Sequence, residues 1–130
     1  MQQRVLIIDD ENVICQGCKM ILSEMGYQCD HFLSGAEGLK SILNTPYDVL
    51  LLDMKLKDMN GMEILATIKD AKPELYVIVI TGYSTVKNAV TAMKLGANDY
   101  ISKPFDDDDI IIAVQNAFKK QSITYNITES

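Results

Sequence analysis

Apolar residues run without a break from Val49 to Leu52 and stop at a carboxylate, Asp53. A short unbroken apolar run fits a parallel strand buried on both faces. The same pattern returns in Val5-Leu6-Ile7-Ile8, which ends at Asp9-Asp10, and in Tyr76 to Ile80, which ends at Thr81-Gly82. Two weaker runs complete the set: Tyr27 to Phe32, read as an edge strand, and Asp99 to Ser102, which leads into Lys103-Pro104-Phe105.

Between these runs the spacing changes from continuous to helical. Val13, Ile14, Gly17, Cys18, Ile21, Leu22 and Met25 recur at three and four residues, which predicts one buried face of a helix that starts at Glu11-Asn12 and is stopped by Gly26. A second helix is predicted over about 35–44, with Leu39, Ile42 and Leu43 inward. A third is predicted over about 62–70, carrying Ile64, Leu65 and Ile68. A fourth runs from a Ser84 N-cap to Leu95 and is closed by Gly96. The last covers about 106–121. Of Ile110, Ile111 and Ile112 a helix can bury only part on one face, and Ile111 is expected outside. Asp106 to Asp109 read as a cap and dipole complement of that helix rather than as metal ligands. Five strands alternating with five helices give an α/β, doubly wound parallel sheet with right-handed crossovers.

Composition narrows the class. At 130 residues, with 48% hydrophobic and 23% charged residues, the chain is one globular domain with no need of a disulfide or structural metal. Residues 1–121 form the domain, and 122–130 read as a frayed tail or the start of a linker. No apolar run approaches a membrane span, so the expected place is the cytoplasm. A net charge of −6 without a basic stripe argues against a direct grip on nucleic acid. Cys15-x-x-Cys18 falls inside a helical pattern, and with Cys29 these are read as buried or half-buried structural thiols. The single histidine, His31, is placed on a solvated strand edge.

Four strands end in chemistry: Asp9 and Asp10, Asp53, Thr81 and Lys103. In an open parallel sheet those ends share one edge, where ligands bind. Two carboxylates about 4 Å apart repel by roughly 4 kcal/mol at an effective dielectric near 20. Three of them need more counter-charge than Lys103 alone provides. Oxygen-only ligands favour Mg²⁺ and a phosphoryl group. A carboxylate needs no general base to act as a nucleophile at neutral pH, so the lack of a convergent histidine is no objection.

These residues, in this order, resemble the receiver domain of bacterial two-component response regulators, from about Arg4 to Lys120. The motifs are Val5 to Glu11, Leu51-Leu52-Asp53-Met54 with Gly61 eight residues after Asp53, Thr81-Gly82, and Lys103-Pro104-Phe105. The wording around Thr81 to Val86 and Ala92 to Tyr100 is similar to the nitrogen-regulatory class of transcription activators. The resemblance implies a flavodoxin-like sheet of order 2-1-3-4-5 and a phosphoacceptor switch rather than an enzyme. Asp53 would take phosphate from a sensor histidine kinase. Asp9, Asp10, Asp53 and the main-chain oxygen of Lys55 would hold Mg²⁺, and Thr81 and Lys103 would bind phosphoryl oxygens. Tyr100 would be the switch aromatic, and the Lys103-Pro104 bond is expected to be cis. The face made by the fourth helix, fifth strand and fifth helix would serve a homodimer or an output domain, with transcriptional control as the outcome. One departure stands out: Lys57 occupies a position where the family usually has proline, which predicts a more mobile loop and an altered phosphate lifetime.

Two other readings use the same fold. An aspartyl-nucleophile phosphatase commonly carries a second Asp two residues after the first, where this chain has Lys55. A phosphate-independent scaffold would have no affinity for Mg²⁺.

Overall fold

The structure is a computed structural model that describes residues 3–82 and 86–129, with side chains as far as Gln121. Its elements in chain order are β1 (Arg4–Ile8), α1 (Asn12–Glu24), β2 (Gln28–Phe32), α2 (Gly35–Asn44) and β3 (Val49–Asp53), then α3 (Gly61–Ala71), β4 (Tyr76–Thr81), α4 (Val86–Lys94), β5 (Asp99–Ser102) and α5 (Asp107–Glu129). The five strands form one parallel sheet in the order β2-β1-β3-β4-β5. Every residue of β3 and β4 is buried, as their unbroken apolar runs require.

Side chains of successive strand residues point to opposite faces, so each strand divides its apolar residues between two cores. On one face Val5, Ile7, Val49, Leu51, Ile78 and Ile80 pack with Cys15, Cys18 and Leu22 of α1 and with Ile110, Val114 and Ala117 of α5. On the other, Leu6, Ile8, Leu50, Leu52, Val77 and Val79 meet Ile42 of α2, Ile64, Leu65 and Ile68 of α3 and Ala92 of α4. No helix of the described residues is long and apolar enough to cross a membrane.

Turn chemistry at the helix ends follows the predicted stops. Gly26 and Gly96 adopt φ of 94° and 107°. In each case the next amide reaches back to a helix carbonyl, Tyr27 N to Leu22 O and Ala97 N to Ala92 O, which closes the helix as a left-handed glycine cap does. Asp109 accepts the Asp106 amide at 2.9 Å and three acids fill the first turn of α5, so the acid run is a cap. The Lys103-Pro104 bond is cis. All three cysteines are free, Cys15 and Cys18 buried and Cys29 half-buried. His31 lies on the edge strand β2 but is half-buried, and burial lowers its pKa.

Four details differ from the sequence expectation. The sheet-facing stripe of α1 is Cys15, Cys18 and Leu22, while Val13 is 77% exposed and Met25 and Gly17 lie outside. Apolar residues occur all round this helix, so periodicity alone fitted a stripe rotated from the real one. In α2, Leu43 is exposed and Gly38 is buried instead, because the helix approaches so closely that a Cβ at 38 would lie 2.5 Å from the Ile8 side chain. In α5 the outward isoleucine is Ile112, at 56% exposure, rather than the half-buried Ile111. The same helix continues to Glu129 instead of ending at Gln121; no Gly or Pro interrupts that stretch. The predicted N-cap Ser84 lies outside the described residues.

Candidate functional site

Among the described residues, only three polar or charged side chains are buried: Asp9, Asp53 and Thr81, at 0%, 3% and 1% exposure. All three lie at the carboxyl edge of the sheet. Burying a polar group costs free energy unless it is compensated, so three such groups at one edge mark a site rather than a packing solution. The register explains their meeting. Ile8 pairs with Leu52, which brings Asp9 level with Asp53, and Asp53 pairs with Ile80, which sets Thr81 one residue further along. Thr81 in turn pairs with Ser102, so Lys103 follows immediately at the same edge.

Lys103 is the electrostatic hub. Its Nζ lies 2.8 Å from Asp9 Oδ2, 2.6 Å from Glu11 Oε2 and 3.4 Å from Asp53 Oδ2. Burial works against its charge, but the carboxylates of Asp9, Glu11 and Asp53 outweigh burial and hold its pKa above the ordinary lysine value. Asp53 shows the opposite balance. Its Oδ1 accepts the Lys55 amide at 3.1 Å, yet burial, with the Asp9 charge adding to it, raises its pKa from 3.8 to about 6. Asp9 uses Oδ1 to accept the Glu11 amide at 2.9 Å, while its buried Oδ2 has no aligned hydrogen-bond donor and is met only by the ion pair.

The site therefore has a shortage of positive charge. One carboxylate oxygen from each of Asp9, Asp10 and Asp53 lies within 4.8 Å of the others. Together with the buried Asp9 Oδ2, which has only the Lys103 ion pair to meet it, this oxygen-only set fits a hard divalent cation.

The neighbouring loop is built to hold the end of β3. Gly61 N–H donates to Met54 O at 3.2 Å, and a Cβ at 61 would fall 2.5 Å from Met54 Cα, so only glycine lets the backbone pass this close. Asn60 caps α3 by accepting the Met62 amide at 2.8 Å. Asp58 caps α2: it accepts the amides of Gly35 at 2.9 Å and Ala36 at 3.0 Å and the Ser34 hydroxyl at 3.0 Å. The loop bearing Lys57 is thus fastened by other means than a proline. Tyr100 is half-buried on β5 and lines a cavity of about 170 Å³ with Thr81, Met54, Met62 and Asn88.

The structure brings together Asp9, Asp10, Asp53, Thr81 and Lys103, and sets Lys55 and Tyr100 beside them. Glu11 and Asp58 are additions that the sequence did not announce. Glu11 looked like a helix starter; it occupies the N-cap of α1 but makes no side-chain cap and turns to Lys103 instead. The partners of Asp58 lie more than twenty residues away in the chain, so no local signal pointed to them.

Comparison with known proteins agrees with this geometry. Residues 5–115 match the response regulator receiver domain family. The transcriptional regulatory protein DltR of Streptococcus agalactiae is 32% identical over 92% of this chain, which spans 54% of that protein. The DNA-binding transcriptional regulator NtrC of Escherichia coli is 37% identical over 87% of this chain, equal to 24% of its own length. The chain thus spans about half or less of the length of these curated relatives. A response regulator receiver domain protein from Methanospirillum hungatei, solved as a crystal structure, superimposes with a TM-score of 0.92 at 32% identity, covering 95% of this chain and 99% of that one. On the sheet order, the acidic cluster, the lysine after β5 and these matches, the chain belongs to the response regulator receiver domain family.

Proposed function

We propose that this domain is a phosphorylation-controlled switch in which Asp53 accepts a phosphoryl group from the phosphohistidine of a sensor histidine kinase. The observation that carries the reading is a buried carboxylate at a strand end, oriented by the Lys55 amide and faced by Lys103 and the Asp9-Asp10 pair. An Asp53 carboxylate oxygen attacks phosphorus, the phosphorus–nitrogen bond to the donor imidazole breaks, and the imidazole leaves with its electron pair to be protonated as free histidine. Mg²⁺, held by Asp9, Asp10, Asp53 and the main-chain oxygen of Lys55, would neutralise charge on the transferring group. Lys103 then turns from the carboxylates to a phosphoryl oxygen, and the Thr81 hydroxyl takes another. Positioning and charge compensation do most of the work, and with one acceptor and no general acid the domain acts as a substrate of signalling rather than a turnover enzyme. Lys55, at the position where a phosphatase of this type would carry its acid, presents an amide and an ammonium.

Phosphate can shift the conformational balance only by favouring one state. Thr81 moving toward the phosphoryl group would open room in the cavity that it lines with Tyr100. Tyr100 turning into that space changes the face of α4, β5 and α5, which would carry the message to a homodimer or to an output domain controlling transcription. Residues 1–121 are the switch, and 122–130, into which α5 continues as far as Glu129, are its tail or the start of a linker. We place the domain in the cytoplasm, where such kinases deliver phosphate.

The test is chemical trapping. After treatment with a small acyl phosphate and Mg²⁺, borohydride reduction should convert one aspartate to homoserine, and peptide mapping should find it at position 53. Homoserine at another position would reject the assignment.

A further inference from the structure

Lys57 stands where the family usually has proline, and its surroundings give it more than a passive place. It lines the open cleft of about 750 Å³ above Asp53, together with Asp10, Glu11, Lys55 and Lys103. The residues on either side of it are anchored. Leu56 packs into the core beneath α2, and Asp58 is tied to Ser34, Gly35 and Ala36 by three hydrogen bonds. Lys55 and Asn60 pair across the loop as an isolated bridge. The backbone at 57 is therefore held, while the exposed side chain itself makes no hydrogen bond or ion pair among the described residues.

The charges around the cleft give that side chain a task. Asp9, Asp10, Glu11 and Asp53 supply four carboxylates, and Lys103 is already engaged by three of them. Lys103 and Lys55, with a bound Mg²⁺, would do no more than balance these carboxylates, so a dianionic donor meets little net attraction and one further cation at the mouth favours its entry. We propose that Lys57 is a donor-binding residue, whose ammonium at the mouth of the Asp53 cleft receives the phosphoryl group of the incoming phosphodonor. The inference rests on Asp53 being the acceptor. It assigns to Lys57 a role in binding the donor, with the bond-making step left to the groups around Asp53.

Saturation kinetics of phosphorylation by acetyl phosphate, with Mg²⁺ and at several salt concentrations, test it. Lys57→Met should raise the half-saturating donor concentration about fivefold, the size expected of one exposed charge contact. Its maximal rate should stay within about twofold of the parent and its salt dependence should flatten, because the screened interaction is gone. Lys57→Arg should restore the parent behaviour, and unchanged thermal unfolding of all three proteins should show that the fold is intact. Equal half-saturation in parent and Lys57→Met, or an arginine variant no better than methionine, would overturn the role of Lys57 and leave Asp53 as acceptor untouched. A parent protein that takes no phosphate at all would overturn both.

Discussion

Asp53 carries a free-energy cost that is visible in its surroundings. It is 3% exposed, and burial, reinforced by the Asp9 charge, raises its pKa from 3.8 to about 6. The folded protein thus holds this proton more tightly than the unfolded chain does. The stabilising contribution is complete below pH 3.8 and is lost as the pH rises through 6. At pH 7.5 without divalent metal the ionised carboxylate costs on the order of 3 kcal/mol. Asp53→Asn, neutral at every pH, should therefore be more stable than the parent in urea unfolding at pH 7.5. The gap should narrow as the pH falls through 6 and nearly close below pH 4. An asparagine variant less stable than the parent at pH 7.5 would contradict the account. At this scale the sequence was most readable where a polar residue ended an apolar run, as at Asp9, Asp53 and Thr81. It was silent on Glu11, whose partner Lys103 is 92 residues away.

Elements were legible in kind and less so in orientation. The strands declared themselves because a buried parallel strand has no polar face to confuse the pattern. Helix faces were harder: α1 is apolar on two sides, and only docking on Val5 and Ile7 of the sheet decides that Cys15, Cys18 and Leu22 turn inward. The three isoleucines of α5 make the same point. Ile110 is fully buried and Ile112 is 56% exposed. Ile110→Ala should cost about 2–5 kcal/mol in unfolding free energy, whereas Ile112→Ala should stay within about 0.5 kcal/mol of the parent. Close approach separates two glycines in the same way. A methyl group at Gly61 would strike the Met54 backbone, whereas one at Gly38 would strike the buried Ile8 side chain, which can yield only by repacking. Gly61→Ala should destabilise by more than Gly38→Ala, at about 1–3 kcal/mol, and should also slow phosphorylation because Met54 adjoins Asp53, the proposed acceptor. Unfolding curves for the pair, alongside their labelling rates, check both statements.

For the whole molecule, one geometric fact links stability to signalling. Two apolar cores clamp the sheet from opposite faces, and that leaves its carboxyl edge as the place where Asp9, Asp53 and Thr81 are buried yet adjacent to an open cleft. The convergence of these residues on one edge could be inferred from the alternation of strands and helices, whereas the strand order came with the resemblance to the receiver family. The clamp of Asp58 on α2 could not, because it depends on how the β3–α3 loop lies across a neighbouring unit. That clamp also alters the expectation for Lys57, since the loop is anchored without proline. The central claim, that this architecture exists to let Asp53 carry a phosphoryl group, is tested most directly by the intact mass of the protein after incubation with acetyl phosphate. The account predicts the added mass of one phosphoryl group in the parent, dependent on Mg²⁺, removed by hydroxylamine as an acyl phosphate, and absent from Asp53→Asn. Equal labelling of the Asp53→Asn protein, or labelling undiminished by chelation of the metal, would contradict it.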